Sequence, residues 1–440
     1  MKESAKVGEK KHSKISWFYS VLPFSVASGP LSTFVQLTIL EQYGQHLGTV
    51  YVGLIVTLFN GVTIPASMFW GFTTDRFHKR KPIIALSFVL TAANLVAFNF
   101  TSTVYGVGVL YAIFSFLSAA STTPYNLLIM ETQPKPSWAT AFARFSMISS
   151  IGIVVGLILS ALWVGLLPLH WLVIALASFS LLSAALSLLL IKEPSFVFER
   201  EIIALNRPSF FARLQSVGML FLRMPRANEF KRVFKGLRFE VTSQVPVLYL
   251  SIVAFYVASG IFNTSLVPSL TANKITESEI FAISVVGMVV QTVSFMYVAP
   301  YIAKRSLVRT AVGGLALRSA CYAALGLSVY FITGINYIVP TLIFYPIAGG
   351  IAFAAYYTAS NTMVFRSIGS KSAGSSLGVY SALVGVASMM GSLVSGFTSV
   401  YFGFHVTFLL AALCLAISAV LTSRLSNFKK QVDEAPTARP

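Results

Sequence analysis

Polar side chains recur at helical spacing inside the long apolar runs of this 440-residue sequence. Ser25, Ser28, Ser32 and Gln36 share one run, and Ser118, Thr122 and Asn126, with Tyr125 beside them, share another. Tyr256, Ser259 and Asn263 form a third set, Tyr357, Thr358 and Asn361 a fourth, and Asn60 and Gln291 stand on neighbouring runs. Such groups can exchange hydrogen bonds with a polar solute. Serine and threonine in apolar helices often only bond back to their own backbone, so each hydroxyl alone is weak evidence. Side-chain amides cost more to leave unpaired in an apolar medium. Asn126 and Asn361 are therefore the leading candidates for contact with a bound molecule.

Charged chemistry is sparse in the same runs. No carboxylate lies in the middle of any of them, because Glu41, Glu131, Glu277 and Glu279 stand at their ends. All five histidines are in connecting segments or at run ends. An intramembrane enzyme would need paired acids, a metal cluster or an activated nucleophile at depth, and none is visible. No nucleotide-binding loop of the G-x-x-x-x-G-K-S/T kind occurs, which argues against an ATP-driven pump. Proton-coupled transporters usually place a titratable group centrally, so its absence favours facilitated diffusion, or coupling through Glu41. The exception is Arg318, about eleven residues into its run, where a charge costs roughly 2.5 kcal/mol or more. That residue is consistent with an anion-binding role, a structural partner or snorkelling.

The elements that hold these residues must lie in lipid. The chain is 56% hydrophobic and 10% charged, with a mean hydropathy of +0.77, whereas a soluble domain carries about a quarter charged residues. In lipid the backbone must satisfy its own hydrogen bonds, which leaves helices or a closed barrel. The apolar runs extend for roughly twenty residues, the length a helix needs to cross hydrocarbon about 30 Å thick. Twelve spans are expected near 17–40, 48–71, 82–100, 105–130, 139–165, 169–191, 245–270, 278–302, 308–331, 337–363, 372–399 and 402–424. The first is too long for a signal-peptide core. Cys321 and Cys414 lie inside runs and give no disulfide framework.

Charge placement orients these spans. Lys10, Lys11, Lys14, Arg76, Lys79, Arg80, Lys81, Lys135, Arg144, Lys304, Arg305, Arg309, Arg366, Lys371, Lys429 and Lys430 fall on one set of connections. The alternate connections hold one lysine and no arginine. Basic residues stay cytoplasmic, so both termini and the long segment 193–244 are expected inside a cell membrane. The net charge of +18 then needs no nucleic-acid partner. Segment 193–244 interleaves Arg200, Arg207, Arg213, Arg223 and Arg238 with Phe210, Phe211, Leu214 and Phe221. Such a segment reads either as interfacial helices on anionic headgroups or as a tether whose charges fix topology.

The sequence also repeats at long range. VASG at Val26–Gly29 recurs at Val257–Gly260, an offset of 231 (257 − 26). An offset of 235 places Asn126 on Asn361 (361 − 126), Gly156 on Gly391 and Ser160 on Ser395. Two related halves are expected, 1–192 and 245–428, followed by a cytoplasmic tail at 429–440. Two six-helix bundles about an axis normal to the membrane form a recurring transporter plan, with the site between them. Gly152-x-x-x-Gly156-x-x-x-Ser160 in span 5 and Ala387-x-x-x-Gly391-x-x-x-Ser395 in span 11 suit close helix packing, expected between the halves.

Between spans 2 and 3 the chain reads Gly71-Phe-Thr-Thr-Asp75-Arg76-Phe-His-Lys79-Arg80-Lys81. This resembles the signature cytoplasmic loop of the major facilitator superfamily, G-x-x-x-D-R-x-x-R/K-x-R/K. The resemblance implies an all-α integral membrane fold of twelve transmembrane helices in two six-helix bundles related by a pseudo-two-fold axis. It also implies a central cavity lined by spans 1, 4, 7 and 10, which carry the four polar sets. Gly71 permits close helix approach, and Asp75 suits the N-terminus of a helix. The resemblance identifies that helix as span 11, beginning at Ser372 with Gly374 and Gly378, in a contact that closes the cytoplasmic side. Arg76 can pair with Glu131, and Arg144 can join them. The matching loop of the second half reads Pro300-Tyr-Ile-Ala-Lys304-Arg305, with lysine in place of the aspartate. One latch is complete and the other degraded.

The function expected is a secondary transporter, working as a monomer on a small-molecule solute without a cofactor. Span 5 lacks the Gly-Pro element that marks many drug–proton antiporters of the superfamily, and span 4 lacks their internal arginine. A multidrug-type exporter is the alternative, and a non-transporting receptor or scaffold on the same fold a more distant one.

Overall fold

A computed structural model describes residues 15–77, 80–101, 103–133, 138–191, 245–303, 306–367 and 373–425. Among them every regular element is a helix. Eleven segments are long and apolar enough to cross a membrane. The first, Ser16–Gly71 at 56 residues, is more than twice the length one crossing needs. It contains two spans, so the count is twelve.

Local chemistry shapes the first two spans. Span 1 opens with a 3-10 turn, Ile15–Val21, continues as Leu22–Ser28, and resumes after Pro30. Proline has no N–H to donate, which interrupts the helical ladder there. The helix Leu31–Phe77 then runs past the expected loop, and its only non-helical backbone is Gly44, at φ 70°. Glycine adopts that conformation without a Cβ clash, so a single residue separates spans 1 and 2.

The later spans match the expected positions to within a few residues. They are Arg80–Ala97, Val104–Thr132, Trp138–Leu166, Leu172–Leu190, Val245–Ala272, Glu277–Ala303 and Leu307–Phe331, then span 10 in three pieces, Ala373–Tyr401 and Gly403–Ser423. Span 4 is capped by Thr103, whose hydroxyl accepts from Gly106 N–H at 3.2 Å. Thr276 and Glu279 form a reciprocal capping box at span 8, at 2.9 and 3.4 Å. Glu279 is thereby a helix cap. Span 10 consists of Ile338–Pro346, a π-helical turn Ile347–Ala352 and Phe353–Ser367.

Each half is knit by its own repeat. A Cβ at Gly156 would collide with the Val26 carbonyl oxygen, and one at Gly391 with the Val257 carbonyl oxygen. The two VASG segments therefore lie against spans 5 and 11 through glycines that are themselves related by the repeat. Ser395 Oγ extends the second contact by donating to Ile261 O at 2.8 Å. The glycine patterns of spans 5 and 11 thus pack within their halves, not between them as expected. The residues that approach across the halves are different ones.

That seam runs along spans 2 and 11. A Cβ at Gly53 would lie 2.6 Å from Gly396 Cα, and one at Gly385 2.5 Å from Ile64 Cγ1. Between them Asn60 Nδ2 donates to Ser392 Oγ at 3.1 Å. Gln45 Nε2 donates to Pro268 O at 2.7 Å, and Ser278 Oγ to Ala161 O at 2.9 Å. These contacts run from Gln45 and Gly53, on the Gly44 side, to Ile64 and Gly385, near the middle of spans 2 and 11. From Ile64 to Asp75, and from Gly385 to Gly374, eleven residues of helix cover about 16 Å. The expected latch is that far from the last of these contacts.

Candidate functional site

The first half contains a hydroxyl-lined cavity of about 200 Å³ between spans 1, 4 and 5. Ser25, Ser28, Ser118, Ser121, Thr122 and Ser149 supply hydroxyls, while Val21, Phe24, Phe145 and Tyr125 supply apolar wall. Thr122 and Ser121 both donate to Ser118 O at 2.9 Å, and Ser28 to Ser25 O at 3.5 Å. Ser25 and Ser149 share a hydrogen bond of 2.7 Å. A hydroxyl whose proton is committed to the backbone still offers two acceptor lone pairs. The cavity is thus richer in free acceptors than in free donors.

Tyr125 serves mainly as a core residue. It is 0% exposed, its hydroxyl sits 2.7 Å from Ser20 Oγ, and its ring stacks 5.9 Å from Trp17. Further along span 1, Gln36 is buried and donates to Ser32 Oγ at 3.3 Å. Its Oε1 has no partner among the described residues. Asn126 is half-buried and does not line the cavity.

The second half presents an aromatic wall. Tyr380 donates to Asn361 Oδ1 at 2.9 Å. Tyr357, 38% exposed, stacks 5.2 Å from Phe353 and meets Phe295 edge-on at 6.0 Å. Thr358 is half-buried, and Asn263 is exposed. Ser259 is buried and its Oγ has no partner among the described residues. Sequence reading did not include Ser121, Ser149 or Tyr380. Ser149 and Tyr380 stand on spans 5 and 11, outside the four spans to which the resemblance pointed.

Arg318 lies behind this wall. It is 3% exposed, and its guanidinium carbon sits 4.9 Å from the Phe255 ring and 5.2 Å from each of the Tyr322 and Phe353 rings. Nε donates to Tyr322 hydroxyl at 2.9 Å. Buried cation–π contacts of this type contribute about 2 kcal/mol when desolvated, comparable to the cost of placing the charge at depth. The side chain is buried, so snorkelling is ruled out. At the opposite end from the loop at 71–81, Glu41 is exposed and within electrostatic reach of Glu277. Groups of metal-ligating residues are absent among the described residues.

The sequence pattern of the Major Facilitator Superfamily matches residues 18–335 and 248–439. The chain belongs to the Major Facilitator Superfamily. Solved structures of similar fold include a peptide transporter of the POT family in complex with sulfate, at TM-score 0.70 and 10% identity over 95% of this chain and 94% of that one. The inward-open xylose transporter XylE from E. coli gives 0.65 and 15% over 94% and 95%. The nucleoside transporter NupG gives 0.62 and 12% over 94% and 100%. At these identities the likeness establishes the fold. No curated protein shows significant sequence similarity to the chain.

As a Major Facilitator Superfamily member, the chain is a multi-pass membrane protein built as a transporter. Of its expected gate, Gly71 is described, and a Cβ there would only touch Thr123 Cγ2 at 3.9 Å. That is an ordinary contact, so close approach does not require glycine at 71. Arg144 is exposed on span 5. The side chains of Asp75, Arg76 and Glu131, the surroundings of Gly374 and Gly378, and the segments 193–244 and 429–440 lie outside the described residues.

Proposed function

We propose that the chain is a secondary transporter that carries a small organic solute across the cell membrane by alternating access. The halves 1–192 and 245–428 rock about a central site, with both termini and the 193–244 linker in the cytoplasm. The observation that carries this reading is the seam along spans 2 and 11, which joins two halves that each carry a polar wall of their own. Gly53 and Gly396 bring the backbones of spans 2 and 11 together near Gly44, while the hydroxyl cavity and the Tyr357–Asn361–Tyr380 wall belong to opposite halves. Besides the glycine and apolar packing, the described residues across the seam are joined by neutral hydrogen bonds (Gln45 to Pro268, Ser278 to Ala161, Asn60 to Ser392). Hydrogen bonds of that kind each contribute only about 1 kcal/mol net, so the seam can open.

Facilitated movement is the mode favoured, since no carboxylate stands in the middle of any span. The test is flux: purified chain in liposomes, loaded with sugars, amino acids, organic anions and drugs, should exchange at least one class. Exchange of none would overturn the transport reading. Exchange only of hydrophobic drugs against a proton gradient would favour the multidrug antiporter instead.

A gate prediction follows from the loop at 71–81. Asp75→Asn removes an anion expected at the N-terminus of span 11 and keeps the side chain's shape. Such interactions contribute about 0.3–1 kcal/mol, so exchange should slow by roughly two- to fivefold, with membrane expression unchanged. Exchange at the wild-type rate in liposomes would remove the latch.

A further inference from the structure

We infer that the transported solute is an organic anion, held between a cationic wall in the second half and hydroxyl acceptors in the first. The inference rests on the transport reading and specifies its substrate. Three observations converge on it.

The first is an uncompensated charge. A guanidinium stays cationic even when buried. None of the chain's 14 acidic residues falls in the middle of a span, so Arg318 has no carboxylate partner at its depth. Aromatic faces and one tyrosine oxygen are what surround it, and Nη1 has no partner among the described residues. Ring quadrupoles hold the cation in place but leave its net charge intact. At the effective dielectric of a buried site that charge is felt across one further layer of side chains.

The second observation is where that layer leads. Tyr256, next to Phe255 on span 7, is within electrostatic reach of Arg318, Tyr357 and Tyr380, and Tyr357 itself stacks on Phe353, the ring that faces Arg318. Tyr380 gives its proton to Asn361 Oδ1, which leaves the Asn361 amide nitrogen as a donor on a wall under the positive potential of Arg318. That arrangement suits a carboxylate or phosphate and disfavours a cation.

The third observation is the other half. The cavity at Ser25, Ser28, Thr122 and Ser149 offers mainly acceptor lone pairs. It suits the hydroxyl or amine protons of a solute whose opposite end is anionic. Among the described residues, neither wall carries a carboxylate that would neutralise a cationic solute.

The test uses the full-length chain in liposomes and measures exchange of matched pairs: gluconate against glucose, glutamate against glutamine, and lactate against lactamide. In at least one pair the carboxylate member should exchange about tenfold faster than its neutral partner. Arg318→Lys should keep that preference, while Arg318→Gln should lose it. A merely structural arginine would change the amount of folded protein and leave the preference alone. If Arg318→Gln does not fold, the wild-type preference and its retention in Arg318→Lys still decide. Faster exchange of the neutral members, or an Arg318→Gln protein that folds and keeps the anion preference, overturns the inference while transport stands. Exchange of no member overturns it together with the transport reading.

Discussion

Gly53→Leu should lower exchange about a hundredfold while the protein remains folded. A Cβ at this position would lie 2.6 Å from Gly396 Cα, closer than non-bonded carbons approach without one of them shifting. Three further carbons cannot be accommodated while spans 2 and 11 stay in contact. The residue lies at a seam between halves rather than in the core of either one. The added volume should therefore prop the halves apart on the Gly44 side and leave each bundle intact. Overpacking of this size costs about 1–3 kcal/mol, and 3 kcal/mol against one of two alternating states depopulates it by roughly a hundredfold. Gly396→Leu should do the same from the other side. Exchange rates in liposomes, beside the thermal unfolding midpoint in detergent, check both. Wild-type exchange by either variant would mean that the seam need not close.

The repeat-related glycines should behave oppositely, losing stability first. In Gly156→Ala and Gly391→Ala the new methyl meets a backbone carbonyl oxygen, of Val26 and Val257 respectively. A backbone cannot rotate aside as a flexible side chain can. Spans 1 and 5, or 7 and 11, must separate along their length and lose contacts on both faces. Each variant should lose about 1–3 kcal/mol, seen as a lower unfolding midpoint, and the two losses should be similar because the two contacts are repeats of one another. Gly313 and Gly165 have no neighbour within 4 Å of a built Cβ. Gly313→Ala, in the interior of span 9, should be neutral or gain up to about 1 kcal/mol from helix propensity. Equal behaviour of Gly156→Ala and Gly313→Ala would contradict the packing described.

The spans were legible because a membrane helix announces itself by length and polarity, and the halves because VASG recurs in matching spans. What stayed hidden depended on partners far away in sequence. The small-residue pattern Gly152–Gly156–Ser160 signals a close helix, but not which one; the structure gives span 1 of the same half. Gly53 and Gly396 form the contact between halves, yet each is a lone glycine in an apolar run and carries no pattern. The single-residue turn at Gly44 was read as a loop because Gln42, Gln45 and His46 make the stretch polar. Arg318 is visible as a misplaced charge with Tyr322 one turn on, but the Phe255 and Phe353 faces of its cage come from spans 7 and 10 and have no local signal. At the site, polarity at helical spacing singled out Ser28 and Thr122, which line one cavity. It also singled out Tyr125, which borders the same cavity while its ring packs on Trp17 and its hydroxyl meets Ser20, a packing role that spacing alone cannot show.

The central claim, that two rigid halves exchange openings on opposite sides, is tested most directly by paired distances between spin labels. One pair would join Gln42 to Thr276 across the Gly44 side, the other Arg144 to Ser306 across the side of the loop at 71–81; all four residues are exposed. The labels would be placed in full-length protein whose Cys321 and Cys414 are replaced by alanine, reconstituted in lipid. The distances should occupy two populations that change in opposite senses, and Gly53→Leu should shift the balance toward a long first distance and a short second one. A single fixed population at both pairs, indifferent to Gly53→Leu, would contradict the account.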